Sequence, residues 1–155
     1  MDNYLILKLL HILSATVLLG TGAGIAFFML TAYLSKSPTA ILVTCKNVIT
    51  GDWLFTTPAI ITQVVTGVLL MEQLNYAFNS AWFLWVLALF VGIGLCWLPV
   101  VRIQYLLNGI IKASINKNEI PDQFHKLFRV WFILGIPAFF MIIGIFYLMV
   151  FKPFL

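Results

Sequence analysis

Four stretches of this chain carry no formal charge: residues 9–35, 53–71, 73–101 and 130–151, with only His11 able to become charged in the first. Each is long enough to cross a hydrocarbon layer of about 30 Å as a helix. None alternates like a strand. Lipid admits only helices or closed barrels, because backbone groups in it must find partners within the protein. Of the 155 residues, 63% are hydrophobic and 9% charged, which is too apolar for one small water-facing core to bury. The reading is a single all-α domain over residues 1–155. It is a polytopic membrane protein, a four-transmembrane-helix bundle with helices near 4–34, 53–74, 81–111 and 123–151.

With four spans, the first and third connectors share a side. That side and its helix ends hold Lys36, Lys46, Arg102, Lys112, Lys117, Lys126 and Arg129, against Asp52, Glu119 and Asp122. The other side holds Lys8 and Lys152 against Asp2 and Glu72. An excess of Lys and Arg faces the cytoplasm, so the expected orientation is N-out and C-out. Orientation accounts for the net charge of +4 without nucleic acid, and the partner it implies is the lipid bilayer. The N-terminus lacks a basic region ahead of a short apolar run, so it is expected to stay as the first span rather than be cleaved.

The connector 35–52 opens with Ser37-Pro38, a helix start, and its apolar residues are expected to lie along the membrane surface. Cys45 falls in that connector and Cys96 deep in the third span, so no disulfide is expected. Pro58, Pro99 and Pro137 lie inside spans and are expected to kink them.

The chemistry-bearing residues are few. His11, Ser14, Leu18, Thr21 and Gly22 share one face of the first helix, while Gly20 and Gly24 form a small-residue pair on the opposite face. An imidazole two turns into a span is costly without a partner. It reads as a haem or metal ligand or a proton-transfer group, or else as an interhelical hydrogen-bonding residue. His125 begins the fourth helix at the other end of the membrane, roughly 20 Å from the depth of His11 at 1.5 Å rise per residue, so the two cannot ligate one iron. Thr56, Thr62, Gln63, Thr66, Gly67 and Gln73 form a polar stripe on the second helix, either packing glue or the lining of a small path. On the basic side, an Asp52–Arg102 pair is expected to fasten the two hairpins, with Asp52 capping the second helix. Arg102 and Arg129 are candidates to hold a lipid headgroup or a haem propionate. No four-ligand zinc cluster, phosphate-binding loop or Ser-His-Asp set is visible, and no metal site is assigned.

The stretch KLLHILSATVLLGTG, residues 8–22, resembles the first-helix signature of a superfamily of small bacterial membrane proteins. That superfamily includes the copper-resistance D-type proteins and the haem-containing protoporphyrinogen oxidases. KNVITGDWLFTTP at 46–58, the Trp82–Trp85 pair and MVFKP at 149–153 resemble more specifically a branch described as predicted integral membrane proteins of unknown function. The resemblance implies a four-helix bundle and a haem-ligand position at His11, with haem b the implied cofactor. It transfers no activity, because the further histidines and the catalytic lysine of the oxidase branch have no secure counterpart here. Three functions remain open: haem or metal handling through His11, a non-catalytic assembly or accessory subunit, and a small transporter using Gln63 and its threonines. The Gly20/Gly24 face is the candidate contact for a homo-oligomer or other membrane subunits.

Overall fold

Lipid leaves each apolar segment one economical solution, a helix whose backbone bonds close within the segment. The structure, a computed structural model, describes residues 2–117 and 119–153. It has helices α1 (Asp2–Leu34), α2 (Pro38–Gly51), α3 (Thr57–Gln73), α4 (Ala81–Ser114) and α5 (Asp122–Phe151), and no strand among the described residues. Four helical stretches are long and apolar enough to cross a membrane, as the charge-free windows require.

The first connector departs from expectation. It is a turn at residues 35–37 followed by helix, not a segment lying on the membrane surface. Ser37 caps α2, its hydroxyl accepting from the Ala40 N–H at 3.4 Å, with Pro38 in the first turn. α2 then runs without a break into a π-helical turn, Asp52–Thr56, and on into α3, giving one 36-residue helix. Pro58 explains the wide turn. It offers no N–H to the preceding turn and its ring needs room there, which a π turn provides. The Thr57 N–H and hydroxyl both bond the Asp52 carbonyl, the hydroxyl at 3.0 Å. Asp52 is therefore a residue inside a helix, not a cap.

The helices pack as two antiparallel pairs, α1 against α2 and α3, and α4 against α5. In the second pair Gly92 lies against Met141, and Gly144 against Leu89. The Trp82 indole N–H donates to the Leu148 carbonyl at 2.7 Å. The expected contact face of α1 is different: a side chain at Gly20 or Gly24 would meet nothing within 4 Å, so those glycines serve no close approach within this chain.

Trp82 and Arg102 on α4 stand twenty positions apart, about 30 Å of helix, and the same span separates Trp53 from Gln73. The helices continue past that thickness at the Lys/Arg-rich end, and there the main core forms. It joins Met29 and Ala32 of α1, Ile41, Cys45 and Val48 of α2, Ile103, Leu107 and Ile111 of α4, and Phe124, Phe128 and Trp131 of α5. Lys36, Lys46, Lys112, Lys126 and Arg129 are exposed around it. Cys45 is thus buried in helix packing rather than placed in a loop. Its thiol lies 3.9 Å from the Met29 sulfur, and both cysteines are free. A smaller cluster of Met71, Trp82 and Leu148 closes the opposite end, where the Lys152 ammonium reaches the Tyr76 hydroxyl at 3.1 Å.

Trp82→Phe keeps the ring packing and removes the indole N–H. It is expected to lower stability by about 1 kcal/mol, read as a reduced thermal midpoint of the detergent-solubilised protein.

Candidate functional site

The polar face of α1 and the polar stripe of α3 meet. His11 lies between Gln63 and Thr66, one turn apart on α3, and the ring rests on Gly67. A β-carbon at Gly67 would stand 3.3 Å from the imidazole, so the absence of a side chain there makes space for the ring.

The hydrogen bonds fix the tautomer. The Thr66 hydroxyl donates its only proton to the Thr62 carbonyl at 2.6 Å, so its oxygen must accept from His11 Nδ1–H at 2.8 Å. Nε2 then carries the lone pair and accepts from the Gln63 amide N–H at 2.9 Å. The Gln63 carbonyl oxygen in turn accepts from the Ser14 hydroxyl at 2.5 Å. Both ring nitrogens of His11 are thus engaged, and Ser14 and Thr66 are buried beside it.

Other expected members stand apart. Thr62 enters through its carbonyl, while its hydroxyl turns back to the Pro58 carbonyl at 2.9 Å. Thr21 is ten residues further along α1, about 15 Å from the level of His11. Glu72 and Lys8 are exposed, and Lys8 lies over the Tyr4 ring, so neither pairs with His11. Arg102 and Arg129 are exposed at the opposite end of the bundle, out of reach of anything bound at His11. The Asp52–Arg102 pair is not made. Asp52 is buried with Oδ2 unpartnered, while Arg102 points outward. Direct hydrogen bonds and the close His11–Gly67 contact join α1 to α3 along this stripe.

His125 does find a partner, one that helical spacing within α5 does not reveal. Its Nδ1 lies 2.7 Å from the Tyr33 hydroxyl, and the Tyr33 ring stacks on Phe128 with centroids 4.0 Å apart. This ties the end of α1 to the start of α5, with His125 in a structural role. Among the described residues, no three His, Cys, Asp or Glu side chains gather as a metal site.

The family described as "Predicted integral membrane protein (DUF2269)" matches residues 5–153, nearly the whole chain. This protein belongs to that family. No curated protein and no solved structure matches it. The match covers all four spans, and the His11 centre and the π turn lie within it.

Gly67→Val is expected to destabilise the protein by about 1–3 kcal/mol, because the added atoms press on the His11 ring. Gly135→Val should leave the thermal midpoint nearly unchanged, since its position is open. Equal shifts in the two variants would contradict the packing described here.

Proposed function

We propose that this protein, a multi-pass protein of the bacterial inner membrane with both termini outside, handles haem or a metal through His11 in redox chemistry or cofactor delivery. The observation that carries this is the tautomer of His11. Thr66 takes the Nδ1–H, as an outer partner does for a ligating histidine, and leaves Nε2 with the lone pair a metal needs.

The donor set narrows the ligand. A bare metal ion needs several protein donors, and among the described residues His11 belongs to no group of three or more His, Cys, Asp or Glu side chains. Iron already held in a porphyrin needs only an axial ligand from the chain, so haem b fits this donor set better than a free ion. Bound there, haem would supply one-electron redox chemistry. His11 would hold it, Thr66 would keep the imidazole oriented, and the Gln63 amide would turn away from Nε2 to admit it. Arg102 and Arg129 are too far away to hold its propionates and have no part in this reading.

A second reading rests on a specific observation. Both ring nitrogens are already satisfied within the chain, so His11 also works as a clamp between α1 and α3 in a non-catalytic accessory subunit. The open Gly20/Gly24 face is then the contact for a second copy or another membrane subunit.

Spectroscopy separates the two. Detergent-purified protein made with haem supplied is expected to show a Soret band that His11→Ala abolishes. Loss of thermal stability in His11→Ala with no Soret band in the wild type would select the clamp, and native mass spectrometry would then be expected to find oligomers or a bound subunit.

A further inference from the structure

A second polar centre lies about 20 Å from His11, at the level where the bundle leaves the bilayer. α1 gives the separation: Ile25, fourteen residues past His11, packs against Gly51 beside the π turn. The centre consists of buried side chains whose polar atoms lack partners. Asp52 is 6% exposed, with Oδ2 sealed and unbonded; Thr56 is 8% exposed, with Oγ1 unbonded. Gln104 of α4 is 2% exposed, with Oε1 unbonded, and Trp131 of α5 is 4% exposed, with its indole N–H unbonded.

Contacts on the rim place these groups at one depth. The Trp53 indole N–H donates to the Tyr105 hydroxyl at 2.7 Å, fixing the π turn against α4. Both of those residues are exposed, and their chain neighbours Asp52 and Gln104 are buried. Along α4 and α5, the Gly92–Met141 and Leu89–Gly144 contacts set an antiparallel register that brings Trp131 level with Arg102 and Ile103. Three helices thus deliver a carboxylate, an amide oxygen and an indole N–H to one level, with the Thr56 hydroxyl one turn deeper. Val48, Ile103 and Trp131 belong to a single packed cluster that continues toward the basic end.

We infer that this junction is a binding site for a monovalent cation, held by the Asp52 carboxylate with the oxygens of Gln104 and Thr56. A water of its hydration shell accepts from the Trp131 indole. The argument is charge compensation. A carboxylate with one oxygen sealed from water at the edge of the bilayer favours a counter-charge beside it, and buried polar atoms require partners. Among the described residues, no charged side chain meets the buried Asp52 oxygen. α1 has no ionisable side chain near this level, from Ala15 to Ala32. Lys46 of α2, Arg102 of α4 and Arg129 of α5 are exposed, and the buried Cys45 thiol faces Met29. One carboxylate among neutral oxygens suits a single positive charge, whereas divalent sites gather several carboxylates. The π turn supports the site by keeping Asp52 and Thr56 on the same inward side as Val48 and Ala59 across Pro58.

Tryptophan fluorescence of the full chain in nanodiscs provides the test, with NaCl or KCl replacing choline chloride at constant ionic strength and pH. The expected result is a saturable change with one of the two salts. Asp52→Asn should abolish it, Gln104→Leu should raise its midpoint several-fold, and Trp131→Phe should remove most of its amplitude. If Asp52→Asn does not elute as a folded species, Gln104→Leu and Thr56→Val carry the test, and unchanged midpoints in both overturn the proposal. A response no larger than in choline, an undiminished response in folded Asp52→Asn, or a signal that follows pH in choline alone would also overturn it. None of these outcomes depends on haem, so the His11 reading stands or falls separately.

Discussion

Lipid solvates an apolar side chain about as well as another apolar side chain does, so apolar burial drives helices together only where they meet water. The rest of the structure depends on this constraint. The helices outrun the bilayer at the Lys/Arg-rich end, and the large core from Met29 to Trp131 forms there, at and beyond the membrane boundary. Within the membrane thickness, large side chains such as Leu95 and Phe140 remain exposed, as lipid-facing residues should. Cohesion at that depth comes instead from close backbone approach and from polar contacts across helices.

Those polar contacts divide by depth. The His11–Gln63–Thr66–Ser14 set is joined throughout by hydrogen bonds, with the imidazole seated on Gly67. The Asp52–Gln104–Thr56–Trp131 set is incomplete, with acceptors and an indole donor left unpaired. A set so joined holds α1 to α3 whether or not a ligand ever displaces Gln63. An incomplete set in a sealed interior is a demand for something from outside the chain. The π turn connects the two, because it carries the inward stripe of one long helix past Pro58 from the first centre to the second.

Much of the His11 centre was legible from helical spacing. The stripe of Thr62, Gln63, Thr66 and Gly67 and the face of His11 and Ser14 both follow from 100° per residue, and both are polar faces with no better place than against each other. The tautomer was not legible, since it follows from which acceptor Thr66 uses. The connector 35–52 was misread because apolar residues beside a basic loop fit a surface helix as well as a helix extending past the bilayer. Asp52 was misread for a related reason. Asp suits a helix start, and nothing local signals that α2 continues through it. Partners such as Tyr33 for His125, or Tyr105 for Trp53, join separate helices, and no period within one helix contains them.

By itself, the sequence determined that this protein is four membrane-spanning helices, because charge-free runs of that length have no other way to satisfy their backbone in lipid. It determined also that His11 lies inside the first of them. Only the tertiary structure decided which helices pair, that the second span is a 36-residue helix running through a π turn, and that Asp52 is buried with one oxygen unpartnered. The physical reason is range. Backbone hydrogen bonding and hydropathy act within one segment, whereas a side chain's partner in this bundle lies on another helix, fixed by packing.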